Sequence, residues 1–68
     1  MYAVHIGQGT SINTGFEWAW LVTVFGPDGG EIDDRQFFSE DEARDWAREV
    51  VENDGGDPDR IRWRPRGG

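Results

Sequence analysis

No cysteine and no lysine occur among the 68 residues, and histidine, tyrosine and methionine occur once each. The missing cysteines exclude a disulfide framework and a thiolate metal site. There is also no run of about 18 apolar residues, the length a membrane-spanning helix needs. The opening MYAVHIGQGT carries neither a basic leader nor an apolar signal core, so a soluble cytoplasmic protein is the expectation. Catalytic side chains are scarce. His5 has no serine or acid partner at a defined spacing and reads as structural. A chain this short has no second layer with which to close a pocket, and the expectation is a non-catalytic protein without cofactor or metal.

What is present is aromatic and acidic. Four Trp and four Phe compensate for a length near the lower limit at which one apolar core holds a fold. The net charge of −7 is unevenly spread. Residues 1–59 hold three arginines against all fourteen acids, a balance of −11, whereas residues 60–68 hold four arginines and no acid. Such a body repels nucleic acid and is drawn to basic protein surfaces, and only the C-terminal stretch is suited to phosphates.

Along the chain, Tyr2, Val4 and Ile6 alternate with Ala3 and His5 as in a half-buried strand, which Gly7 and Gly9 are expected to end. GQGTSINTG has loop composition. It is not a dinucleotide turn, because Ile12 stands where a third glycine is required. In the next strand Phe16, Trp18, Trp20, Val22 and Val24 share one face, and Ala19, Leu21, Thr23 and Phe25 the other. Gly26-Pro27-Asp28-Gly29 suits a type I turn with Gly29 in the left-handed position. That turn sets Phe25 opposite Glu31 and Val24 opposite Ile32, which carries Phe38 to the Trp20 face and Phe37 to the Leu21 face.

Ser39 and Glu42 form a capping box, and Phe38 with Ala43 a hydrophobic staple. Ala43, Trp46, Ala47, Val50 and Val51 make one apolar helical stripe, and Gly55 is a natural left-handed cap. Asp54, Asp57 and Asp59 lack the spacing of a calcium loop and read as helix exit and turn. Ile61 and Trp63, alternating with Arg60, Arg62 and Arg64, predict a last short strand. The fold class expected is α+β: an antiparallel sheet of three to four strands, one helix on one face, order β-β-β-α-β. One helix covers one face only. Leu21, Phe25 and Phe37 are then left as an apolar patch on the other, a surface for a partner or for sheet-stacked homodimerisation.

Three functional readings follow. The first is a protein-binding module, an inhibitor that sets acids where a nucleic acid's phosphates would lie on a basic partner. Glu40, Asp41, Asp45, Glu49 and Glu52 on the solvent side of the helix carry it, with Glu31, Asp33 and Asp34 adding to the field. The second rests on Arg64-Pro65-Arg66-Gly67-Gly68, which resembles the tail of ubiquitin-like proteins and sulfur carriers. The resemblance covers five residues and implies activation at the terminal glycine carboxylate, although the element order departs from that of a β-grasp fold. The third is nucleic-acid contact through Arg60, Arg62, Arg64 and Arg66, with Trp63 to stack. The acidic body opposes it, and pairing of these arginines with acids of the helix or the neighbouring strand is the expectation instead.

Overall fold

The computed structural model describes residues 1–9 and 19–65. Strand β1 (Tyr2–Gly9), strand β2 (Ala19–Phe25), strand β3 (Glu31–Phe37), helix α1 (Glu40–Asn53) and strand β4 (Ile61–Pro65) follow one another in the expected β-β-β-α-β order. Phe16 and Trp18, most of the connection before β2, and residues 66–68 lie outside the described residues.

The four strands form one sheet in the order β3-β2-β1-β4. It is mixed, which corrects the expectation of an antiparallel sheet: β1 runs parallel to β4, from Tyr2 opposite Ile61 to Ile6 opposite Pro65. Chain geometry requires this. Seven residues of β3 rise roughly 23 Å at 3.3 Å each, and fourteen residues of α1 return roughly 21 Å at 1.5 Å each. The helix therefore brings the chain back to the end where β3 began, and β4 must run in the direction of β3. Two antiparallel pairings, β1 with β2 and β2 with β3, give β1 that same direction.

Strand β1 also runs further than expected. Gly7, Gln8 and Gly9 remain in the ladder opposite Leu21, Trp20 and Ala19. Gly9 leaves room for the side chain of Leu21: a β-carbon there would lie 3.0 Å from Leu21 Cδ1, which would have to shift slightly.

The β2–β3 turn closes through the Gly29 amide, which donates to the Gly26 carbonyl at 3.0 Å, with Gly29 at φ 89°. Phe25 pairs with Glu31 as expected, but Val24 then faces Asp33, leaving Ile32 as the extra residue of a β-bulge. This one-residue shift reverses the rest of the strand. Phe37 comes opposite Trp20 and packs on Trp46 with ring centroids 5.6 Å apart, while Phe38 is 76% exposed. The helix is tied to the sheet by Phe37, not by the expected staple through Phe38.

Helix α1 begins where Ser39 Oγ accepts from the Glu42 amide at 3.3 Å, with Glu40, Asp41 and Glu42 in the dipole-favoured first turn. It ends in a Schellman motif. The Gly55 amide donates to Glu52 O at 3.0 Å and the Gly56 amide to Val51 O at 2.8 Å, with Gly55 at φ 93°. Between helix and sheet lies a core of Val4, Ile6, Val22, Val24, Ala43, Ala47 and Val51. The two alanines let the helix approach closely. The aromatics form a half-buried rim around these small residues: Tyr2, Trp20, Phe37, Trp46 and Trp63 pack against the cluster from its margins.

Candidate functional site

The contacts of α1 orient its surface. Trp46 points towards β3 through Phe37, and Arg44 lies over the Trp63 ring on β4, 4.8 Å from its centroid. Arg48 Nη2 is 3.8 Å from Asp59 Oδ1, just ahead of β4. Both helical arginines are thus drawn to the β4 flank. Arg44 also holds Glu40, Nη2 to Oε2 at 3.2 Å, so Glu40 is engaged within the helix. The outer ridge is left to Asp41, Asp45, Glu49 and Glu52, all exposed. Among the described residues no arginine lies within ion-pairing distance of any of the four. Strand β3 is an edge exposed from Glu31 to Gln36; Asp33 lies on its helix side, whereas Glu31 and Asp34 follow Phe25 and Thr23 onto the opposite face.

The face of the sheet turned away from the helix is set by the register. It holds Ala3, His5, Gly7 and Gly9 of β1, Ala19, Leu21, Thr23 and Phe25 of β2, Glu31, Asp34 and Gln36 of β3, and Arg62 and Arg64 of β4. The expected patch is therefore incomplete. Leu21 and Phe25 lie there, half-buried, but Phe37 is on the helix side. Phe25 instead meets His5, with centroids 4.7 Å apart and rings inclined by 55°. Leu21 and Phe25 are also separated from the acidic ridge by the thickness of the sheet, so the predicted partner-contacting residues fall on two distinct surfaces.

The C-terminal arginines divide as well. Arg60 Nε is 3.8 Å from Asp57 Oδ2, an acid of the turn ahead of β4 and not of the helix or the neighbouring strand from which the pairing was expected. Arg62 and Arg64 have no carboxylate within 4 Å among the described residues. Trp63, expected to stack beside them, is turned to the opposite face beneath Arg44. Gly67 and Gly68, which carry the resemblance to ubiquitin-like tails, lie outside the described residues.

The aspartates after the helix hold local structure. Asp57 Oδ1 accepts from the Asp59 amide at 2.9 Å. Asp54 Oδ2 accepts from the Tyr2 hydroxyl at 2.6 Å. That bond, with desolvation and the carboxylate charge behind it, holds the Tyr2 hydroxyl above its ordinary pKa. Among the described residues no three metal-ligating side chains converge.

Sequence reasoning missed the grouping of His5 and Phe25 with Arg62 and Arg64. The signal was present in the alternation of Arg62 and Arg64 with Ile61 and Trp63, and of Ala3 and His5 with Tyr2 and Val4. What it lacked was the parallel pairing that sets β4 beside β1. No family model, curated protein or solved structure matches the chain.

Proposed function

We propose that the chain is a non-catalytic protein-binding module whose acidic helix ridge engages a partner with a basic surface, in the manner of an inhibitor that occupies a nucleic-acid-binding face. One observation carries the reading. Asp41, Asp45, Glu49 and Glu52 stand at successive spacings of four, four and three along the exposed side of α1, and Arg44 and Arg48, which lie between them in sequence, turn to Glu40 and Asp59 instead. Like charges at such spacings destabilise a helix by about 0.2–0.5 kcal/mol per pair. Glu49 and Glu52 also lie towards the C-terminal end, where the helix dipole disfavours acids, and the last turn has no basic residue. Acids also serve solubility, but they do so anywhere on the surface and need not stand in one row. A row that works against its own helix is better explained by what it meets outside.

The test is affinity capture with the immobilised chain and with its Asp45→Arg/Glu49→Arg/Glu52→Arg variant. The wild-type chain should retain a basic protein that elutes steeply as salt rises, since exposed charges are screened within about 8 Å at physiological ionic strength. The variant should not retain it. A partner held equally by both, or held without dependence on salt, sinks the reading.

A further inference from the structure

The face of the sheet turned away from the helix buries Ala19 and Thr23, and at its Ala3–Phe25 end carries a groove opposite in character to the acidic ridge. Ala3 forms its floor with His5 beside it, Phe25 and Pro27 stand on the β2 side, and Arg62 and Arg64 stand on the β4 side. It is shallow and encloses about 530 Å³, within the range of ligand sites. The register builds it: Ala3 lies opposite Phe25 on one neighbour and Arg62 on the other, and His5 lies opposite Arg64. The two guanidiniums differ from those of Arg44, Arg48 and Arg60, each of which has a carboxylate within 4 Å. Arg62 and Arg64 have none among the described residues, and both face the same way.

We propose that this groove binds single-stranded nucleic acid, with successive phosphates on Arg62 and Arg64 and a base against the Phe25–His5 ring pair. Two residues of strand set the arginine backbones roughly 6.6 Å apart, on the scale of one backbone step of an extended nucleotide chain. Ring side chains on an open sheet face beside a basic track are the common means of holding unpaired bases, because every base has a stacking face. An acidic peptide would satisfy the guanidiniums but offers no flat ring to Phe25.

The acidic body does not forbid this binding, because the charges are separated. Strand β3 lies three strand spacings or roughly 14 Å from the β4 arginines, beyond the screening length of about 8 Å at physiological ionic strength, so Glu31, opposite Phe25, borders the base site and not the phosphate track. Asp57 and Asp59, nearer by, are held by Arg60 and Arg48. The groove uses no residue of the acidic ridge, so each reading can fail without the other.

The experiment is a fluorescence-anisotropy titration of a labelled oligothymidylate with the full chain across a range of salt. Two phosphate contacts predict a slope of log affinity against log salt of about −1.4, and Arg62→Gln or Arg64→Gln should each bring it to about −0.7. Both arginines are exposed, so these variants keep the fold. Phe25→Leu preserves an apolar wall and should weaken binding by at least about fivefold through lost stacking. Absence of binding at millimolar chain in low salt overturns the proposal, as does a slope that neither arginine variant changes. Displacement of the oligonucleotide by oligoglutamate or inorganic phosphate at equal charge overturns it in favour of an unselective anion site.

Discussion

The contact between Gly56 and Tyr2 gives the sharpest test of how helix and sheet are joined. A β-carbon on Gly56 would lie 2.6 Å from Tyr2 Cδ1 and 2.8 Å from Val51 Cγ1, with Tyr2 Cε1 closer still. The ring has little room to move aside, because its hydroxyl donates to Asp54 Oδ2 and to the Asp54 carbonyl at 3.1 Å. Gly56→Ala should therefore cost about 2–3 kcal/mol, the upper part of the range for overpacking. A domain of this size has a stability of roughly 3–10 kcal/mol, and at about 4–8 °C per kcal/mol the midpoint should fall on the order of 10–20 °C. Gly55→Ala is the control. Gly55 sits at φ 93° with nothing within 4 Å of its would-be β-carbon, so its cost is backbone strain alone, about 1 kcal/mol. Thermal and urea unfolding followed by tryptophan fluorescence measure both. Repeating them in a Tyr2→Ala background separates the causes: the cost of Gly56→Ala should fall by half or more, and that of Gly55→Ala should not change. A neutral Gly56→Ala, or a cost that persists unchanged without Tyr2, would refute the packing argument.

Two further outcomes are expected. Glu49→Lys/Glu52→Lys should stabilise the chain by about 0.3–1 kcal/mol, through the helix dipole and relief of repulsion, while lowering retention of a basic partner; a destabilised double variant contradicts the charge argument. The Tyr2 hydroxyl is held above its ordinary pKa by Asp54, so the protonated phenol favours the folded state. That contribution is fully present below a pH of about 10 and is lost as pH rises through the higher folded-state value. Urea unfolding at stepped alkaline pH should show this loss in the wild-type chain and its absence in Tyr2→Phe; identical profiles would remove Asp54 from the account.

Much of the fold was legible because local chemistry and global structure agree. The Ser39–Glu42 box, the Ala43–Val51 stripe and Gly55 marked the helix, and the alternation Tyr2-Val4-Ile6 marked the face of β1 that it covers. The bulge at Ile32 was not legible. From Glu31 to Gln36 five of six residues are polar, so the strand carries no alternating pattern to pin its register, and only Phe37 reports which way it faces. Phe37 and Phe38 stand side by side, and the sequence offers no reason to choose between them. The parallel pairing of β4 could have been reached from lengths alone, since a helix about as long as the preceding strand reverses the chain once. Without that step Arg62 and Arg64 had no neighbours, and the groove they form with His5 and Phe25 was out of view. The acidic ridge needed no tertiary information, because helical spacing alone aligns Asp41, Asp45, Glu49 and Glu52.

The β1–β4 pairing also bears on the order in which the molecule comes together. The hairpin pairs Phe25 with Glu31, whereas β4 joins the sheet by pairing Tyr2 with Ile61. The loop closed is roughly tenfold longer, which adds about 2 kcal/mol of closure entropy. That step is rewarded by five residues of ladder, at an edge, after the helix is already in place. Strand β4 is therefore expected to dock last in folding and to open first in the native state, as amide exchange along the sheet would show. The wall bearing Arg62 and Arg64 is thus the least secured part of the sheet. An anion bridging it to β1 would slow amide exchange in β4 first, and would act as a clasp on the fold as well as a ligand.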